Sequence, residues 1–238
     1  CAVVAVVLLA AWLPLQAAAA SLGDVASPDG RLRVEMALDD AGRPMWRLLR
    51  EGREVIAPSP LGMVGEGVDL SQGLVFAGVG PVQPVADDYE LLSGKRRHNE
   101  YRANRRVFRW KDTQGHGLAV AWQVSNDGAA FRYELEHPVP GLQTWKRDAA
   151  TFRLPAGAHA WLQPMAEPKT GFARTNPSYE EYYLQDVPVG TPTPMGHGWV
   201  FPALFRSGND WILLSEGSLR RGDAGSRLLD GAAPGEYL

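Results

Sequence analysis

The chain has 238 residues and a formal net charge of −3, with 45% hydrophobic and 21% charged residues. This is a globular composition with core enough for one large or two small domains. The near-neutral balance gives no reason to expect a nucleic-acid partner, and eight Trp and seven Tyr serve β-cores and sugar stacking equally well.

Residues 1–20, CAVVAVVLLAAWLPLQAAAA, are apolar, uncharged and end in small residues. Such a run reads as the apolar region and cleavage site of a signal peptide. It lacks a basic start and an initiator Met, so the sequence predicts a signal truncated at its front and cut near Ala20. Pro14 and the Ala-rich end argue against a spanning helix. Cys1, the one cysteine, would leave with the signal. The mature part, residues 21–238, is then expected to hold no disulfide, to be periplasmic or secreted, and to have no membrane contact after cleavage.

Beyond Ala20 the dominant period is two, the mark of half-buried strands. Residues 31–36, RLRVEM, predict a strand, and Asp39-Asp40-Ala41-Gly42 a turn. Residues 46–49 and 53–56 predict a hairpin around Arg50-Glu51-Gly52. Pro58-Ser59-Pro60-Leu61-Gly62 breaks the pattern, and residues 81–94 read as a loop. A long strand pair is expected at 99–111 and 118–124, turning at Asp112-Thr113-Gln114-Gly115. Residues 125–136, SNDGAAFRYELE, then turn into the next hairpin arm. Residues 163–198 are Pro-rich and weakly periodic, and read as a functional loop. Strands resume at 199–205 and 211–215. No segment of the mature chain has convincing helical periodicity, and short strands with 26 Gly and 18 Pro predict an all-β sandwich.

The motifs of hydrolytic nucleophiles and phosphate loops are missing, and His98, His116, His137, His159 and His197 show no metal-ligand spacing. The basic series Lys95, Arg96, Arg97, Arg102, Arg105, Arg106, Arg109 and Lys111 reads as the solvated face of a strand. The most chemically loaded spot is Glu180 and Glu181, set among Tyr179, Tyr182 and Tyr183. Two carboxylates there could ligate a hard cation such as calcium, the rings could face a sugar, or the loop is merely solvated.

SNDGAAFRYELE resembles the F-N-D-G-x-x-F-R-Y-E-F motif of the N-terminal domain of glycoside hydrolase family 97, the α-glucosidases and α-galactosidases of bacterial periplasms. Four further stretches match in order. Ser27-Pro28-Asp29-Gly30-Arg31-Leu32 resembles S-P-D-G-x-L, and Pro58-Ser59-Pro60-Leu61-Gly62 resembles P-S-x-L-G. Arg97-His98-Asn99-Glu100 is similar to H-Y-N-E, with a one-residue gap and no Tyr. Leu214-Ser215-Glu216-Gly217 stands at the family's H-E-A position.

The resemblance implies a large antiparallel β-sandwich of the galactose mutarotase type, a β-supersandwich, packed on a C-terminal (β/α)8 catalytic barrel. Within SNDGAAFRYELE it gives Phe131 and Tyr133 to the core, and Arg132 and Glu134 to the other side. Residues after Trp211 are too few for a barrel of about 250 residues. The chain is therefore expected to be a fragment, incomplete at its C-terminal end, with no catalytic residue of its own. The family also implies calcium, with one ligand glutamate from this domain. That glutamate falls on Glu180 or Glu181, and the alignment frame leaves both open.

The expected protein is a secreted, calcium-dependent α-glycosidase acting on oligosaccharides or other α-glycosides, with this chain as its sugar-facing domain. The alternative from another class is a stand-alone carbohydrate-binding sandwich using Trp161, Tyr179, Tyr182 and Trp199. A third option, a mutarotase-like epimerase, needs His98 and Glu100 to meet in a cleft.

Overall fold

The structure, a computed structural model, describes residues 20–136, 144–165, 182–217 and 225–238. The described residues contain strands and turns and no helix. Four consecutive strands form an antiparallel meander: β1 (Ala20–Ala26), β2 (Leu32–Leu38), β3 (Pro44–Arg50) and β4 (Arg53–Pro60). In β2 the alternation is plain, with Val34 and Met36 buried and Arg33 exposed. The β3–β4 hairpin turns at Glu51 and Gly52, with φ of 51° and 78°. Two positive φ values in a two-residue loop match the right-handed twist of the flanking strands.

Gly62 follows β4 and precedes β5 (Met63–Gly65) and β6 (Val68–Asp69). A second sheet then starts with β7 (Val75–Val79), β8 (Gln83–Glu90) and the long β9 (His98–Lys111). It is completed by β10 (Gly117–Ser125) and β11 (Ala129–Glu136) in the order β11-β10-β9-β7, with β8 pairing the first half of β9. β10 is buried almost throughout, which is why LAVAW is a continuous apolar run and not an alternation. β12 (Trp145–Asp148) joins β5 and β6 in a small sheet. β13 (Phe152–Arg153) and the final β18 (Glu236–Tyr237) extend the first sheet. A fourth sheet has the order β15-β14-β16-β17, from β14 (His159–Pro164), β15 (Leu184–Pro188), β16 (Trp199–Ser207) and β17 (Asp210–Leu214).

The expected all-β sandwich is therefore found, with three local corrections. The Pro58–Pro60 stretch does not end its strand, because β4 runs through Pro60, which pairs with Met45. The loop expected at 81–94 contains β8, an exposed strand held by backbone pairing to β9, so it carries almost no apolar alternation to read. The loop expected at 163–198 contains β15, itself mostly exposed.

The two large sheets meet over aromatic rings. Trp46 of β3 lies 5.0 Å from Trp122 of β10, and Trp122 lies 5.0 Å from Phe131 of β11. Phe152 of β13 closes edge-on against Trp46 at 5.7 Å. The basic series of β9 divides between the two faces of the strand, Arg105 and Arg109 on one and Arg102 and Arg106 on that of the buried Phe108 and Trp110, so the single solvated face expected is not found. Arg102 pairs with Asp88, Arg105 with Glu134 and Arg109 with Glu136, while Arg106 donates to the carbonyls of Gly80 and Asp24.

Candidate functional site

The sequence motifs converge in space. The Asp29 carboxylate accepts from Ser27 Oγ at 2.6 Å, Arg31 N at 3.0 Å and Arg31 Nε at 2.7 Å. These bonds, led by the Ser27 hydroxyl, hold its pKa down to about 2. The Asp29 backbone N–H then donates to Asn126 Oδ1 at 3.1 Å, tying the first strand pair to the SNDG turn. That turn is closed by Ser125, whose N donates to Gly128 O at 2.9 Å and whose Oγ donates to Asp127 Oδ1 at 2.6 Å. Gly128 is not among the residues with positive φ, so the turn does not use the left-handed region that its Asn-Asp-Gly letters favour.

Further along the same stretch, Tyr133 OH accepts from Gly62 N at 2.9 Å and donates to Asp148 Oδ1 at 3.2 Å. Gly62 has φ 145°, and a Cβ there would stand 2.4 Å from Ser71 Cα, so only glycine fits this approach. Burial pushes the Tyr133 phenol well above its usual pKa. Phe131 and Tyr133 face inward, while Arg132 bonds Glu134 on the other side, as the motif implied. Three of the five motif stretches thus form one joint between sheets.

An open cleft runs between that joint and β17, with Trp46, Trp122, Tyr133, Asp148 and Glu216 in its lining. Its carboxylates are engaged. Asp210 is buried and accepts from Arg50 Nη1 at 2.8 Å and Arg53 Nη1 at 2.9 Å, pinning the β16–β17 turn to the β3–β4 hairpin. Glu216, of the last matched stretch, accepts from Ser226 N at 2.8 Å and from Ser226 Oγ. Asp148 faces Tyr133, and desolvation raises its carboxyl above the usual range. Among the described residues, no three His, Cys, Asp or Glu side chains converge as a metal-binding group.

The predicted ligand residues Glu180 and Glu181, with Tyr179, lie outside the described residues. Their neighbours rest on the fourth sheet. Met165 N donates to Gly198 O at 2.8 Å, and Tyr183 OH donates to Pro202 O at 3.4 Å. Carboxylates are the right donors for calcium, but one or two of them leave most of its six to eight positions to other oxygens.

Of the other expected site residues, Tyr182 is open to solvent at 93% exposure. Trp199 is fully buried, so it cannot stack on a sugar. His98 and Glu100 sit 3.7 Å apart and exposed on the β8–β9 hairpin, away from the cleft, so the epimerase option lacks its cavity. Trp161 does reach the surface, in contact with Trp211 at 5.0 Å. Sequence reading missed Trp211. Its spacing of two from Leu213 on a strand put both on one face, but nothing in the letters said that the face is outward.

These features define an all-β sandwich domain whose recognisable residues join its sheets. The chain belongs to the glycosyl-hydrolase 97 N-terminal family, whose model matches residues 25–235. It is 29% identical over 211 residues to a probable retaining alpha-galactosidase of Streptomyces bingchenggensis (strain BCW-1), covering 88% of this chain and 30% of that protein. It is similar to the crystal structure of a beta-arabinopyranosidase, with TM-score 0.83 and 33% identity over 90% of this chain and 34% of the other. A glycoside hydrolase family 97 enzyme from Pseudoalteromonas sp. strain K8, solved with panose and with acarbose, shares the fold at TM-score 0.73 and 21% identity, over 90% of this chain and 31% of that one. The chain thus spans about a third of the length of these relatives.

Proposed function

We propose that the chain is the substrate-side N-terminal domain of a periplasmic or secreted, calcium-dependent glycosidase that releases galacto-configured sugars. Its partner would be its own C-terminal (β/α)8 barrel, which would carry the catalytic acid and the base or nucleophile. The observation behind the sugar choice is the pairing of the more similar relatives, a beta-arabinopyranosidase at 33% identity and a probable alpha-galactosidase at 29%. A β-L-arabinopyranoside has the ring configuration of an α-D-galactoside and lacks only the hydroxymethyl group, so one pocket shape suits both. The panose and acarbose complexes belong to a neighbour at 21% identity.

Calcium is proposed on the donor chemistry of Glu180 and Glu181, one of which would be a ligand. When bound, the ion supplies a fixed local charge able to polarise an oxygen. This domain's part is to present one carboxylate and hold it by the sheet on which the segment's flanks rest.

The test is the full-length protein, assayed on aryl α-galactoside, β-L-arabinopyranoside and α-glucoside while calcium is chelated and restored. The expected result is at least tenfold higher kcat/KM on the first two substrates, about 1.4 kcal/mol of preference. Activity should follow calcium, and either Glu180→Gln or Glu181→Gln should raise the calcium concentration needed. Preference for the α-glucoside would overturn the sugar choice. Wild-type calcium dependence in both variants would overturn the ligand. Saturable sugar binding without hydrolysis of any of them would favour the stand-alone binding module.

A further inference from the structure

The outer face of the fourth sheet carries a side-chain cluster that meets the cleft only at its β17 edge, through Trp211 and Leu213. Strand pairing sets it in two rows. His159, Arg206 and Trp211 lie opposite one another across β14, β16 and β17, and Trp161, Leu204 and Leu213 form the next row on the same face. The intervening residues Ala160, Ala203 and Phe205 point inward and are fully buried. Trp211 is 55% exposed and Leu213 62%, so the rows are open at β17 and half-buried at β14 and β16.

The rings are held in place. Trp161 and Trp211 touch at 5.0 Å with their planes 40° apart, so they make one composite apolar surface. The Arg206 guanidinium stands 5.6 Å from both ring centroids and fixes the pair from one side. Arg206 Nη2 also donates to Asp186 Oδ1 at 3.3 Å, and His159 Nδ1 lies 3.2 Å from the same oxygen. Asp186 reaches them from an irregular stretch of β15, where the β14–β15 register shifts and its own φ is 55°. A left-handed non-glycine residue at a bulge is a backbone departure that re-aims a side chain. Here it aims a carboxylate at the charged rim of a ring surface.

From this geometry we infer that the Trp161–Trp211 surface, rimmed by Arg206, Asp186 and His159, is a glycan-binding platform. A pyranose has an apolar C–H face and a periphery of hydroxyls. The indoles take the face, and the rim takes the hydroxyls, with a carboxylate acceptor and guanidinium donors in reach. A protein partner with an apolar patch would cover the same rings but would also take the charged rim out of water without replacement bonds, which is unfavourable. The charged rim therefore favours a hydroxyl-rich occupant. Contact through one composite ring surface gives weak affinity for a single unit, so the natural occupant is a polymer that offers many units.

The test is electrophoresis of the full-length protein through native gels cast with soluble starch or with galactomannan, whose exposed units are α-glucosyl and α-galactosyl respectively. The wild type should be retarded in at least one of them. Trp211→Ala should weaken the apparent affinity at least tenfold, and Asp186→Asn severalfold, with the melting temperature unchanged. Asn tolerates the left-handed backbone at this position, so the second variant keeps the test valid if the first misfolds. Free mobility of the wild type in both gels would overturn the proposal, as would wild-type retardation in the folded variants. A change of oligomeric mass in Trp211→Ala on size-exclusion chromatography would also overturn it, by making the surface a protein interface. The readout needs no hydrolysis, so failure of the glycosidase reading would leave it standing.

Discussion

The molecule has two aromatic regions of opposite character. At the joint of the two large sheets, Trp46, Trp122 and Phe131 are packed ring on ring, and the motif residues Asp29, Gly62, Asn126 and Tyr133 bond across it. On the fourth sheet, Trp161 and Trp211 touch in the open, with a charged rim and with no matched motif. Three of the five stretches that reveal the family thus hold the sandwich together. Joining two sheets demands particular atoms at particular places, such as a glycine under Ser71 or an amide oxygen facing an N–H. An exposed surface leaves its residues freer to differ with the ligand.

The sharpest way to break this contrast is to truncate one ring from each region. Trp122 is almost fully buried, so Trp122→Ala should cost about 3–5 kcal/mol, from lost transfer free energy and the cavity left between the sheets. Trp211→Ala should stay within about 0.5 kcal/mol, as for an exposed substitution. Urea denaturation of both variants measures the difference. Near-equal losses would mean that the fourth-sheet rings belong to the core after all.

A good part of the joint was legible. Strand alternation gave β2, β9 and β11, and the inward set of Phe131 and Tyr133 came with the family resemblance. What sequence could not give is partnership at long range. The Asp29–Asn126 bond spans 97 positions and the Gly62–Tyr133 bond 71, and no local pattern encodes either. β8 and β15 were missed because both are mostly exposed and carry little apolar alternation to read. Trp199 was misread because a buried and an exposed tryptophan look alike as letters. The outer platform stayed hidden for a related reason, since its rows come from strands whose register no motif fixes.

A smaller effect sharpens the joint itself. Tyr133→Phe keeps the ring and removes one hydroxyl, leaving the buried Gly62 N–H without its acceptor and Asp148 Oδ1 with Ala150 N alone of its two donors. The expected loss is about 1–3 kcal/mol, the desolvation cost of an orphaned buried polar group. A loss no larger than that of an exposed substitution would show that water replaces the phenol, and that the motif tyrosine is needed for its ring alone.

The smallest effects are in the pH dependence, where the two ends of the joint should pull in opposite directions. Asp29 has its folded pKa lowered from 3.8 to about 2, so its stabilising bonds are fully present above pH 4 and are lost as pH falls toward 2. Asp148 has its folded pKa raised from 3.8 by burial, so it favours the fold most when protonated. Its contribution is full below its unfolded pKa and declines as pH rises through the folded value. An amide at either position removes the titration, and the side-chain oxygen introduced by Asp148→Asn would still accept from Tyr133 OH and Ala150 N. Relative to wild type, Asp29→Asn should therefore lose more stability near neutral pH than at pH 2–3. Asp148→Asn should compare better with wild type as pH rises above 4. Both carboxylates reach solvent, which screens their effects and keeps both slopes shallow. Thermal melts of both variants and the wild type between pH 2 and 7 measure the slopes. Difference curves of the same sign would mean that one of these carboxylates is not held as the joint holds it here.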